Sequence, residues 1–362
     1  MVPMKGAVRV FIASLILLLS SASLAQNDEA QKRDEPSYPR LKLGGQFQLQ
    51  LDDGDLKASS RRPVRNGIGF RDTDSRIDIR RLRLYATAYF SDQVSIVTET
   101  DFEAEDLEPD EVTLTPLDIY LKYQFAEGHH LRIGQAKIPF GHEFLKTSRH
   151  LTVIERSDVS RMFFQRDIGV GLFGQREKME YAFGVYQGQG ENVAERNGAN
   201  DIAGKFEYQV TPGLRLGASG HLGVYRPERD VPDIPLRRLG FEAIYEDGPW
   251  KFEGEYIVGN GYNLFSNADT PSRGYYLYNV VKIRPPLDLV VGYDRFDPDV
   301  GSVNLSRSDN GANERDRFVV GLNYYFKRRP VHRFMVNYEL RNELEGPSVS
   351  TQGFRVRYQY VW

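Results

Sequence analysis

The stretch Arg80-Arg81-Leu82-Arg83-Leu84-Tyr85-Ala86-Thr87-Ala88-Tyr89-Phe90 decides the fold. Leu82, Leu84, Ala86, Ala88 and Phe90 alternate with Arg81, Arg83, Tyr85, Thr87 and Tyr89. A period of two puts an apolar row on one face of a strand and a charged, polar row on the other. Such a strand suits a wall between lipid and water, because an arginine at mid-bilayer depth on the lipid face costs about 2–4 kcal/mol. Just upstream, Ile77 and Ile79 have the opposite parity, which predicts a β-bulge near Arg80.

The same alternation recurs along the chain. It predicts strands near 40–51, 75–90, 94–103, 115–125, 130–136, 166–174, 179–187 and 201–210, then 214–225, 237–246, 250–259, 273–282, 287–296, 315–326, 332–341 and 351–362. Short turns at 91–93, 126–129, 175–178, 211–213, 247–249, 283–286 and 327–331 alternate with longer polar connections. Sixteen strands with tight turns at one end and long loops at the other predict an all-β fold, an antiparallel transmembrane β-barrel with short periplasmic turns and long extracellular loops. Phe241, Ala243 and Tyr245 are expected on the lipid side against Glu242, as are Phe318, Val320, Leu322, Tyr324 and Phe326 against Arg317 and Asn323. Phe90, Phe125, Tyr245, Trp250 and Phe326 flank short turns on the lipid side and read as a periplasmic aromatic girdle.

The N-terminus reads as an export signal at residues 1–25. Lys5 and Arg9 precede an apolar run from Val10 to Leu19, and Ser23-Leu24-Ala25 is a cleavage site. Cleavage takes the formal charge from −3 to −5. Residues 26–39 read as a flexible polar lead and 40–362 as the barrel. At the other end, Phe354, Val356, Tyr358, Tyr360 and Trp362 alternate up to the last residue. That resembles the signal by which outer-membrane barrels are recognised by the barrel-assembly machinery, with Trp in place of the more usual Phe.

Several chemistries are excluded or poorly supported. No cysteine is present, so disulfides, thiolate metal sites and cysteine nucleophiles are excluded. No apolar run is long enough for a membrane-spanning helix, and a slightly acidic chain has no field to attract nucleic acid. Gly169-Val170-Gly171-Leu172-Phe173-Gly174 has dinucleotide-binding spacing, but an alternating strand follows where that motif needs a helix. Asp52-Asp53-Gly54-Asp55 and the loop carrying Asp297, Asp299, Asp309 and Asn310 lack full calcium-loop spacing. His129 and His130 form no zinc motif, and His221 is expected inward with no lipid-facing Ser–His pair. No catalytic residue, metal or cofactor is therefore expected.

Lumen charge carries the functional content. Inward basic residues by parity are Lys42, Arg81, Arg83, Lys122, Arg132, Lys205, Arg215, Lys251, Arg317, Arg333, Arg355 and Arg357. The inward acids are Glu99, Asp101, Asp118, Glu180, Glu207, Glu242, Glu253, Glu255, Asp288, Asp294 and Glu339. Closing the barrel puts the last strand beside the first, so Lys42, Arg81, Arg83, Arg317, Arg333, Arg355 and Arg357 are expected on one basic wall. Glu242, Glu253, Glu255, Asp288 and Asp294 are expected to collect elsewhere. Guanidinium groups hold oxyanions in a planar fork without deprotonating, so such a wall can bind anions; the competing role is charge pairs that only fill the lumen. The longest connection, 137–165, is expected to fold inward as a constriction loop carrying Lys137, Lys146, Arg149, Arg156 and Arg161 against Glu143, Glu155 and Asp158.

This loop and its neighbours resemble the phosphate-selective porin O and P family. The matching words are Gln135-Ala136-Lys137-Ile138-Pro139-Phe140-Gly141, Ser148-Arg149, Leu151-Thr152, Ile154-Glu155-Arg156-Ser157 and Arg166-Asp167-Ile168-Gly169-Val170. Arg80 to Leu84 and Glu99-Thr100-Asp101-Phe102 resemble the family's early hairpin. The resemblance implies a sixteen-stranded, usually trimeric outer-membrane channel with an arginine ladder, here Arg81, Arg83, Arg355 and Arg357, and Lys137 and Arg149 at the constriction. The expected function is passive conduction of small hydrophilic solutes, anions such as phosphate foremost, by a homotrimer set in outer-membrane lipid and lipopolysaccharide. The type members' lysine-rich loop has no counterpart, because the loop from Arg226 to Leu236 mixes arginines and acids. Two alternatives stand beside this: a general, weakly cation-preferring porin, and a plugged structural or adhesive barrel whose loop Lys57 to Arg71 touches lipopolysaccharide phosphates.

Overall fold

A computed structural model describes residues 37–54, 75–103, 113–162, 166–226, 232–261, 269–301, 313–326, 332–345 and 349–362. The export signal, most of the polar lead and the loop Lys57 to Arg71 lie outside the described residues, as do Asp309, Asn310 and the turn 327–331. The strands are β1 (Arg40–Gly54), β2 (Ser75–Tyr89), β3 (Val94–Glu103), β4 (Thr113–Ala126), β5 (His129–Lys137), β6 (Arg166–Arg176), β7 (Met179–Tyr186) and β8 (Asp201–Gln209). They continue as β9 (Leu214–Tyr225), β10 (Ile234–Asp247), β11 (Trp250–Asn260), β12 (Pro271–Arg284), β13 (Leu287–Asp297), β14 (Arg315–Tyr325), β15 (Arg333–Glu343) and β16 (Val349–Val361). Each pairs with its sequence neighbours, all antiparallel, and β16 pairs with β1, so the sheet is a closed sixteen-stranded barrel. No helix among the described residues is long and apolar enough to cross a membrane.

The predicted faces are present. Leu84, Phe241, Tyr245, Phe318, Leu322 and Tyr324 are exposed on the outside, while Arg81, Glu242, Arg317 and Asn323 are buried inside. The girdle residues Phe90, Phe125, Tyr245, Trp250 and Phe326 are all exposed beside short turns. The bulge falls where the parity breaks: Gln48 pairs with Arg81 and Leu49 with Ile79, which leaves Arg80 as the extra residue. Ile77 and Ile79 therefore face out like Leu82 and Leu84. The glycine-rich run 169–174 lies within β6, and a two-residue turn leads directly into β7.

Barrel closure runs through the last residue. The β1–β16 register extends from Gln46 opposite Val361 to Gly54 opposite Gly353. Trp362 N–H donates to Gly45 O at 3.1 Å and Gly45 N–H to Trp362 O at 3.2 Å. A Cβ at Gly45 would collide with the Trp362 ring, so glycine permits this close approach.

One expectation needs correcting. The alternation implies a lumen wall that is polar throughout, yet β11–β14 turn Ile257, Tyr276, Tyr278, Val280, Val290, Phe296 and Val319 inward, all buried. They are covered by residues 138–162 of the long connection, which lie inside the barrel. Phe140, Phe144, Val159 and Met162 pack on Ile257 and Phe296. Val153 packs among Tyr276, Tyr278, Val280, Val290 and Val319, and Ile138 packs on Tyr186 and Ala203. Burying a side chain of this size is worth about 1.5–3 kcal/mol, so this half of the lumen is a small hydrophobic core.

Candidate functional site

The inward segment starts where the ladder cannot continue. Pro139 has no N–H to donate and disfavours helix at Ile138, and Gly141 turns the chain at φ +70°. A single turn over 142–146 follows, held by charges at both ends. The Glu255 carboxylate accepts the backbone N–H of His142 at 2.7 Å and of Glu143 at 3.2 Å. Lys137 Nζ donates to the carbonyls of Phe144, Leu145 and Lys146 at 2.9, 3.2 and 2.9 Å. Arg156 adds hydrogen bonds to the Glu143 and Lys146 carbonyls. An anion at the N-terminal end and cations at the C-terminal end complement the turn's peptide dipoles. Lys137 and Arg156, two of the expected constriction residues, thus hold backbone.

The rest of the segment is fastened to the barrel wall. Lys146 Nζ pairs with Glu253 at 2.6 Å, and Thr152 Oγ1 donates to the same carboxylate at 2.7 Å. Gln46 Nε2 donates to Ser148 Oγ at 2.8 Å, Arg333 Nη2 to Arg149 O at 3.1 Å and Gln359 Nε2 to Arg149 O at 3.0 Å. Asn323 Nδ2 donates to Thr152 O at 3.0 Å. Lys205 Nζ donates to Gly141 O at 2.7 Å while 2.8 Å from both Glu207 and Glu242. His142, Glu207 and Glu242 bring one ligand atom each within 4.8 Å of one another, and the Lys205 ammonium bridges the two carboxylates while Arg215 pairs with Glu207 at 3.2 Å.

Two carboxylates organise the basic wall. Glu155, on the segment, pairs with Arg80 at 2.8 Å, Arg81 at 3.7 Å and Arg357 at 2.5 Å. Burial alone would raise this carboxyl, but Arg80, Arg357 and Arg81 together hold it well below the usual carboxylate range. Glu339, on β15, meets Arg317 at 3.9 Å, Arg341 at 2.5 Å and Arg355 at 3.4 Å. Arg317 also pairs with Asp294 at 2.6 Å, and Arg355 with Asp52 at 3.7 Å. Six arginines thus face four carboxylates, an excess of two positive charges. Arg81 Nε and Arg355 Nη2 are buried and have no hydrogen-bond acceptor among the described residues.

The expected wall residues divide accordingly. Arg81, Arg317, Arg333, Arg355 and Arg357 gather against the segment, all buried. Arg83 instead pairs with Asp101 at 2.8 Å and Glu99 at 3.0 Å, and Lys42 stands exposed near the turn end of β1. Glu242, Glu253 and Glu255 do collect around the 142–146 turn, but Asp294 belongs to the basic wall through Arg317. Arg149 is half-buried with its guanidinium 4.8 Å from the Tyr85 ring, and no carboxylate pairs with it among the described residues. The Arg161 side chain lies outside the described residues.

Arg80 and the anchoring role of Glu155 escape the parity argument, whereas Arg341 shares the inward parity of Arg333 and Glu339 and is missing from the expected wall. The bulge is the signal for Arg80, because the extra residue brings two consecutive arginines to one carboxylate. The continuous apolar runs Leu289-Val290-Val291 and Phe318-Val319-Val320 are the signal for the covered lumen wall, since a strand buried on both faces stops alternating.

A family model described as phosphate-selective porin O and P matches residues 42–234, more than half of the chain. The chain belongs to that family. Among solved structures, this family member resembles the outer membrane channel DcaP of Acinetobacter baumannii, at 14% identity and a TM-score of 0.66, covering 92% of this chain and 100% of that one. It resembles an anion-selective porin from Comamonas acidovorans at 12% identity and a TM-score of 0.63, covering 89% and 99%. The trimer form of OmpT from Vibrio cholerae matches at 11% identity and a TM-score of 0.60, covering 90% and 100%. At these identities the likeness shows the shared barrel. A comparison with curated protein sequences gives no match at a significant level.

Proposed function

We propose that this outer-membrane porin conducts small hydrophilic anions passively, phosphate among them, past the face of the inward segment that the basic wall borders. The supporting observation is the excess of arginines over carboxylates along the basic wall, together with the half-buried Arg149, which has no carboxylate partner among the described residues. These groups suit an oxyanion, because guanidinium donors lose little strength to reorganisation in a narrow lumen. The family description and the anion-selective porin among the structural relatives agree with this reading. On it the chain is exported by a cleavable signal, inserted by the barrel-assembly machinery, surrounded by lipid and lipopolysaccharide, and assembled as a homotrimer. It acts as a channel and not as a catalyst.

A reversal-potential measurement across planar bilayers in a salt gradient tests the reading. Wild type should favour anions and be blocked by phosphate, and R81Q/R355Q should lower the anion-to-cation permeability ratio by about twofold or more at low salt, where screening is weakest. An unchanged ratio in a folded variant would remove the wall from selectivity. A second reading, a plugged structural or adhesive barrel, is favoured by the apolar packing of the segment against β11–β14. It predicts no ohmic current.

A further inference from the structure

The outer wall carries a feature that conduction does not explain. Outward residues Tyr256, Tyr275 and Tyr293 form a row across β11, β12 and β13, and Arg273 and Arg295 stand one outward position nearer the long-loop end. The two arginines, Tyr256, Tyr275, Asp297 and Glu314 surround a cleft of about 340 Å³. Arg295 Nε and Nη2 donate to the two Glu314 oxygens at 2.7 and 2.9 Å, so this guanidinium is held in place. Arg273 reaches Asp297 only at 3.6 Å, and its side chain is 54% exposed.

Beneath the cleft, sharing Tyr256 and Tyr275 with it, lies a groove of about 620 Å³ with almost wholly apolar walls. Phe252, Leu277, Val291 and Phe318 rise around the small residues Ala243 and Gly254. From Arg273 to Asn279 the strand climbs about 20 Å at roughly 3.3 Å per residue. With a tilt of about 45° this spans about 14 Å of depth, close to half of the roughly 30 Å hydrocarbon core. A tyrosine row marks the headgroup level on an outer-membrane barrel, so the cleft lies among headgroups and the groove among acyl chains.

We propose that Arg273 and Arg295 bind the phosphate of a phosphorylated glycolipid in the outer leaflet, with one of its acyl chains lying in the groove beside Ala243. The site rests on the outer-membrane placement given above. Arg273, weakly engaged by Asp297, turns to the phosphate, while Arg295 keeps Glu314 and offers its remaining N–H groups.

The test follows the full chain in detergent micelles by the midpoint of its heat-dependent gel mobility. Diphosphoryl lipid A should raise the midpoint, and the same lipid stripped of phosphate should need about tenfold more to do so. R273Q/R295Q should need about tenfold more diphosphoryl lipid A, and Ala243→Leu, which narrows the groove, should weaken the response to both lipids. Equal response to the two lipids, or a wild-type response in R273Q/R295Q, overturns the proposal. An equal midpoint rise with inorganic phosphate alone would make the cleft an ion site, and a changed oligomer with an unchanged lipid response would make it a subunit contact; either overturns it too. If R273Q/R295Q does not assemble, R273Q alone carries the comparison. Single-channel conductance of these variants should equal wild type, because neither arginine faces the lumen; absence of ohmic current in the wild type would count against the channel reading, and a wild-type lipid response in the variants against this site.

Discussion

At the scale of single residues, Glu155 is the side chain on which the inward segment depends most. It is buried and shared by Arg80, Arg81 and Arg357, and removing one side of a buried ion pair costs about 3–5 kcal/mol. E155A should therefore free the segment without opening the sheet: limited proteolysis should cut within 148–162 at least tenfold faster than in wild type, a loss of more than about 1.4 kcal/mol, with barrel mobility unchanged. Glu143 gives the segment a pH dependence. Burial pushes its carboxyl up to about 7, against the Ser157 hydrogen bond and the charges of Arg156 and Arg317. A raised carboxyl favours the docked state most when protonated, so its contribution is full below about 4.5 and is lost as pH rises through 7. His142 has the opposite slope, since burial lowers its ring to about 4 and its contribution is lost as pH falls from 6.5 toward 4. The two oppose each other between about 4.5 and 6.5, and above 6.5 only Glu143 of the pair still changes charge. The hydrogen-exchange protection factors over 142–157, that is the rates corrected for base-catalysed intrinsic exchange, should fall between pH 6.5 and 7.5 in wild type and change less in E143Q; equal profiles would refute the assignment.

At the scale of elements, the strands were legible because lipid and water impose a period of two that propensity alone does not. Every strand end lies within a few residues of its expected place, and the parity break at Ile79 and Arg81 locates the bulge. The site was legible only in part. Parity tells which face Arg317, Arg355 and Glu339 occupy, but not that Glu155 gathers Arg80, Arg81 and Arg357, because those contacts join strands far apart in sequence to a segment with no repeating pattern. The apolar inward residues of β12–β14 were missed for the same reason, their cover being a loop. The bulge makes a sharp prediction: deleting Arg80 removes the extra residue and leaves Ile77, Ile79, Leu82 and Leu84 on one face. That variant should assemble with normal heat-dependent mobility but dock the segment more weakly, having lost one Glu155 partner. Failure to assemble would mean that the bulge is needed for the barrel itself.

At the scale of the whole molecule, the two ends of the chain meet at Gly45 and Trp362. Deleting Trp362 removes both backbone hydrogen bonds and the ring over Gly45, and the amount of heat-modifiable barrel in the outer membrane should fall several-fold; an unchanged amount would show that the final aromatic is dispensable. The inward segment spans this junction. Glu155 grips β2 and β16 together, and Ser148 and Arg149 reach β1, β15 and β16. Those strands are the first and the last to be made, whereas the segment emerges midway between them. In the finished barrel the segment is a clasp across the seam where the sheet closes: Glu155, Ser148 and the Arg149 carbonyl tie β15 and β16 to β1 and β2 by contacts that the strand ladder itself does not make.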